Sequence, residues 1–131
     1  MRKAMKNEIR LHDGELNVME LLWSNKELAA KDISKIIKEY IGWEKNTTYT
    51  VIKSLIDKGA VVRDDPGFIC RAVITKREIQ DIETQVLFNK LYGGKLTGFI
   101  EDYLRNRHLN TTELLELERI ISEQKDRKAV I

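Results

Sequence analysis

The residue types that most often carry chemistry are thinly spread in this chain. His12 and His108 lie far apart, and neither has partners at metal-ligand spacing, so solvated or helix-capping roles are expected of both. The single cysteine, Cys70, excludes an internal disulfide and any multi-cysteine metal site. It stands between Ile69 and Arg71, which suits a small hydrophobe, with a redox-sensing thiol beside the arginine as the weaker option. Carboxylates are plentiful, but Glu15, Glu20, Glu27, Glu39 and the acidic residues of 113–123 fall on expected helix surfaces. No glycine-rich phosphate loop or nucleophile elbow is present. The pattern points away from an enzyme, and it implies neither a metal nor a cofactor.

One stretch is different. In Trp43–Gly59, read at 3.6 residues per turn, Thr48, Val51, Ile52, Leu55 and Ile56 share one face. Asn46, Thr47, Thr50, Lys53, Ser54 and Asp57 share the other. Gly59 suits the left-handed residue that ends a helix. The polar face carries short hydroxyls, an amide and an ammonium in place of the usual Glu/Lys mixture. Such side chains can come close to a phosphate or a base edge. A merely solvated helix face is the alternative, and its surroundings must decide.

Those surroundings are helical on the N-terminal side. Residues 1–12 read as a frayed basic arm. A first helix follows, with Asp13 as N-cap and Leu16, Val18, Met19, Leu22 and Trp23 on its apolar face. A second runs from about Ala30 to Ile41, with Ile33, Ile36, Ile37 and Tyr40 at helical spacing, and Gly42 ends it. This helix and the next make a helix-turn-helix unit. After Gly59 the period changes. Ala60–Asp64 and Phe68–Thr75 read as strands joined by a turn, with Pro66 and Gly67 at the central positions of type II. Three helices and a hairpin make a winged helix, the hairpin being the wing.

From Lys76 the chain is helical again. Ile79, Ile82, Val86, Leu87 and Leu91 form one stripe, Gly93-Gly94 breaks it, and Leu96, Phe99, Ile100 and Tyr103 form another. Asn110 with Glu113 reads as a capping box before Leu114, Leu117, Ile120 and Ile121. These stripes lack partner surface of their own, so a second copy of the chain is their expected partner; folding back on the winged helix is the alternative. The fold class expected is thus mainly α with a small β-hairpin. Residues 1–75 would form a winged helix-turn-helix and 76–131 a helical dimerisation region, using Phe99, Ile100, Tyr103, Leu114, Leu117 and Ile121. The overall balance, 42% hydrophobic and 34% charged with a net charge of +2, suits a folded soluble chain and offers no sequence-wide argument for nucleic acid. With no signal-peptide core and no apolar run of about 18 residues, a cytoplasmic location without membrane insertion is expected.

Several runs carry a family likeness. LNVMELLW (16–23), ISKII (33–37), NTTYTVIKSLIDKGAV (46–61), LFNKLYGG (87–94) and ELLELERII (113–121) resemble the penicillinase-repressor family, the BlaI/MecI type, in order and over nearly the whole chain. The resemblance implies a bacterial dimeric repressor that blocks a promoter on double-stranded operator DNA until it is removed. In that family the helix matching 46–58 enters the major groove, which places Asn46, Thr47, Tyr49, Thr50 and Lys53 at the DNA. Thr48 stands where the family usually has an aliphatic residue, and Tyr49 where arginine is common. Those repressors are released by a protease that cuts an Asn-Phe bond, whereas residues 98–103 here read GFIEDY without that pair. Copper-responsive relatives carry a C-terminal cysteine cluster, which Cys70 alone cannot supply. Two other readings of the fold are a winged-helix module that binds protein and a small-molecule sensor with its ligand between the C-terminal helices.

Overall fold

A computed structural model describes residues 8–130. The chain forms two compact units, one extending to Val86 and the other beginning at Leu87. In the first, helix α1 (Asp13–Ser24) is followed by a short strand β1 (Leu28–Ala29), helix α2 (Ala30–Tyr40) and helix α3 (Lys45–Asp57). Strands β2 (Val61–Asp64) and β3 (Ile69–Ala72) make the hairpin, and helix α4 (Lys76–Leu91) leads out of the unit. The core is built from the expected stripes: Val18, Met19 and Leu22 of α1, Ile33 and Ile37 of α2, Ile52 and Leu55 of α3, and Val61, Cys70 and Ile74 from the hairpin and its exit. Burying an aliphatic side chain of this size contributes about 1.5–3 kcal/mol relative to exposure, so this cluster dominates the unit's stability. Ile79 of α4 joins it, and Ile82 packs against its edge. This is the winged helix-turn-helix fold.

Several sequence expectations are corrected. The hairpin is part of a three-stranded antiparallel sheet, because β1 pairs with β3 (Leu28 opposite Cys70) on the side away from β2. A two-residue strand has too little pattern to be read from sequence. Of the supposed basic arm, residues 1–7 lie outside the described residues, but Ile9 and Leu11 are buried in the core and the chain there is not frayed. The N-cap of α1 is His12 and not Asp13. Its Nδ1 accepts the Glu15 N–H at 3.3 Å, and the Glu15 carboxylate accepts the His12 N–H at 3.0 Å, a reciprocal capping box. Tyr40 is 82% exposed although its spacing matches the α2 stripe: the helix ends at Tyr40, and Ile37 is the last residue of the stripe that the core takes in. At the wing tip Gly67 holds the positive φ (101°) that the turn reading asks of its second central residue, and Phe68 after it is left-handed too (φ 50°).

The second unit holds the last turns of α4 with helices α5 (Leu96–Asn106) and α6 (Thr111–Val130). Phe99 gathers Phe88, Tyr92 and Tyr103 around it at ring-centroid distances of 5.4, 5.3 and 5.7 Å. Asn110 Oδ1 accepts the Glu113 N–H at 2.8 Å and so caps α6 from the position read in the sequence.

Candidate nucleic-acid interface

Helix α3 begins after Glu44, whose side chain makes no capping hydrogen bond, and its first turn carries no acidic residue. The first N–H groups of a helix have no partner inside it, so this end offers donors and a partial positive charge to an anion. Its other end is closed by a full Schellman motif. Ala60 N–H donates to Leu55 O and Gly59 N–H to Ile56 O, both at 3.0 Å, with Gly59 at φ 83°. Thr48, Ile52 and Leu55 are fully buried and fix the rotation of the helix about its axis.

That rotation leaves Asn46, Thr47, Thr50 and Lys53 exposed together on one face. Thr50 is partly committed: its hydroxyl donates to Asn46 O at 2.9 Å. What remains for a partner is its lone-pair capacity and its methyl group, which suit a base amino group or a thymine methyl. Tyr49 is half-buried. Its ring meets Phe68 edge-on, with centroids 5.6 Å apart, and Lys45 Nζ lies 5.6 Å from its centroid.

Ser54 is not on the outer face, as its spacing had suggested. Its hydroxyl donates to Glu15 Oε2 at 2.8 Å, and Lys58 Nζ reaches Glu15 Oε1 at 2.5 Å and Arg10 O at 2.9 Å. Glu15 is completely buried, which the reading of it as a surface carboxylate missed. Burial alone would raise its pKa. The Lys58 ammonium, the His12 N–H and the Ser54 hydroxyl outweigh that and hold the carboxyl below its usual value. This cluster ties the C-terminal end of α3 to the start of α1. A signal for it existed: Glu15 occupies the first position of the 15, 18, 19, 22 spacing that Val18, Met19 and Leu22 continue into the core.

On the wing, Arg63 stacks over Phe68 with its guanidinium carbon 3.6 Å from the ring centroid, and its Nε lies 3.0 Å from Asp65 Oδ2. Arg71 pairs with Asp64 at 2.9 Å. Cys70 is buried and burial pushes its thiol up to about 11, so it is a packing residue at neutral pH. Among the described residues no group of three or more His, Cys, Asp or Glu converges as a metal site, and no helix is long and apolar enough to cross a membrane.

In the second unit, Ile100, Tyr103, Leu114 and Ile121 are exposed by 37–55%, while Phe99 and Leu117 are half-buried. Phe99, Ile100, Tyr103 and Leu117 line an open groove of about 700 Å³, together with Leu104 and Leu109. Leu114 and Ile121 are not among its lining residues.

The fold and this face define a winged-helix protein with a free third helix. The comparisons with known proteins agree. The penicillinase repressor family model matches residues 11–123, and the chain belongs to that family. It is 28% identical over 126 residues to the penicillinase repressor of Bacillus licheniformis, covering 95% of this chain and 98% of that one. To the methicillin resistance regulatory protein MecI of Staphylococcus aureus (strain N315) it is 24% identical over 116 residues, covering 87% of this chain and 94% of that one. The solution structure of the DNA binding domain of the repressor BlaI has the same fold, with a TM-score of 0.52 at 24% identity, over 59% of this chain and 93% of that one.

Proposed function

We propose that this protein represses transcription by binding double-stranded operator DNA in the bacterial cytoplasm as a homodimer. The observation that carries the reading is the exposed face of α3, with Asn46, Thr47, Thr50 and Lys53 beside an uncapped helix N-terminus in a chain of the penicillinase repressor family. The helix N-terminus and basic side chains set the register on phosphates, and the amide and hydroxyls of α3 read base edges in the major groove. Tyr49 lies on the same helix beside them. Two copies joined through the C-terminal helices engage two half-sites of a palindromic operator, so each half-site raises the effective concentration of the other. The exposed Ile100, Tyr103, Leu114 and Ile121 support this seam, since apolar surface of that extent is covered in a stable assembly.

If release is proteolytic, the cut falls at or near residues 99–104. That segment lies inside α5, so cutting it requires local unfolding and destroys the seam. The groove of about 700 Å³ supports a second reading, a small molecule held between α5 and α6. In the leading reading the partner copy covers it, and a dimer that still takes up an apolar dye there would favour the second.

Two variants test the reading helix. Lys53→Ala, if the ammonium meets a phosphate, weakens binding to operator and random DNA alike and lowers the salt slope by about 0.9 per half-site. Thr50→Ala removes no charge and alters sequence preference at nearly constant slope. Titrations on both DNAs at several salt concentrations separate the two, and no change in either variant would refute α3 as the reader. Leu117→Asp, which places a charge in the seam, yields a monomer by sedimentation equilibrium with weakened operator binding. A wild-type monomer at micromolar concentration would refute the dimer.

A further inference from the structure

The aromatic contact between α3 and the wing has a role that solvated surface side chains do not. Phe68 holds a left-handed backbone at φ 50°, a conformation that bulky side chains rarely adopt. It is fixed there from three directions. Its carbonyl accepts the Ala30 N–H at 2.9 Å, its own N–H donates to Asp65 Oδ1 at 3.3 Å, and its ring meets Tyr49 edge-on. The guanidinium of Arg63 lies against that ring and is also paired with Asp65. Tyr49, Phe68 and Arg63 are therefore one continuous stack running from the middle of α3 to a cation of the wing.

We propose that Tyr49 is a positioning residue, which through Phe68 sets where the Arg63 guanidinium stands relative to the exposed face of α3. The inference rests on the DNA-binding reading above and deepens it. Arg63 is 42% exposed, and its pairing with Asp65 is a surface contact that a phosphate can replace. A guanidinium held in place from the reading helix adds a phosphate contact that fixes the register of that helix on the duplex and contributes affinity. A lysine or arginine at position 49 would supply charge from the helix itself. The tyrosine supplies it indirectly, by fixing an arginine of the neighbouring element.

The test uses the full chain and a duplex enriched by the wild type from a random pool, with affinity measured at several salt concentrations. Arg63→Gln is expected to weaken binding and reduce the salt slope by about 0.9 per half-site. Tyr49→Leu is expected to weaken binding about two- to tenfold, the range of one aromatic contact, and to lower the slope in the same direction. The double variant should bind no more weakly than Arg63→Gln alone, because both changes remove one contribution. Tyr49→Phe keeps the ring and should restore what Tyr49→Leu loses. Should Tyr49→Leu fail to fold by circular dichroism, Phe68→Leu breaks the same contact from the wing and carries the same expectation. Additive losses, or a Tyr49→Phe variant as weak as Tyr49→Leu, would overturn the positioning role while leaving DNA binding intact. A wild type that enriches no duplex would overturn the DNA reading and this role with it.

Discussion

The Glu15 cluster makes a quantitative demand on Lys58. Replacing Lys58 by Met keeps the aliphatic stem and removes the ammonium that lies 2.5 Å from Glu15 Oε1. Glu15 would keep the Ser54 hydroxyl at 2.8 Å and the His12 N–H at 3.0 Å, but both are neutral donors. Stripping one partner from a fully buried charge costs about 3–5 kcal/mol, and Lys58 is itself 34% exposed, which lowers the expectation to about 2–3 kcal/mol at pH 7. For a unit of this size that is a fall in Tm of about 10–20 °C. The loss has a pH signature. In the wild type the folded-state pKa of Glu15 lies below its unfolded value. Its contribution is therefore complete above the unfolded value and is lost as pH falls through the folded one. Without the ammonium the strongest contact holding the carboxylate ionised is gone and its folded-state pKa rises from the wild-type position, so the variant has less ionisation-linked stability to lose as pH falls. Denaturant unfolding of both proteins at pH 7 and pH 4 should show the gap between them narrowing at pH 4. An equal gap at both pH values, or one below about 0.5 kcal/mol at pH 7, would refute a buried ion pair as the tie between α1 and α3.

Two further outcomes concern the core. Thr48 is completely buried and its hydroxyl has no hydrogen-bond partner among the described residues, so Thr48→Val, of nearly the same shape, should raise stability by about 1 kcal/mol in urea unfolding. A loss of stability would mean that the hydroxyl is satisfied. Cys70, buried and with its thiol pushed up to about 11, should resist a thiol reagent at pH 7.5 in the folded protein and react fully in denaturant. Rapid labelling of the folded protein would restore the redox-sensor reading that its neighbour Arg71 once suggested.

Much of this molecule was legible in its sequence because its elements are amphipathic and short-range. The spacing of Ile33 and Ile37, the stop at Gly59 and the Asn110 cap each depend on residues within a few positions of one another, and each stands in the structure where the pattern put it. The exposed set Asn46, Thr47, Thr50 and Lys53 follows from the same periodicity once Thr48, Ile52 and Leu55 are known to face the core. What the tertiary structure alone decided involves partners distant in the chain. Ser54 turns inward because Glu15, 39 positions away, accepts its hydroxyl, and Glu15 can be buried only because Lys58 arrives beside it. Leu28 and Ala29 become a strand because β3 offers them an edge, not because two residues carry a β pattern. Tyr49 and Phe68 meet because the hairpin folds back toward α3, and that contact, invisible to any local period, joins the wing to the helix.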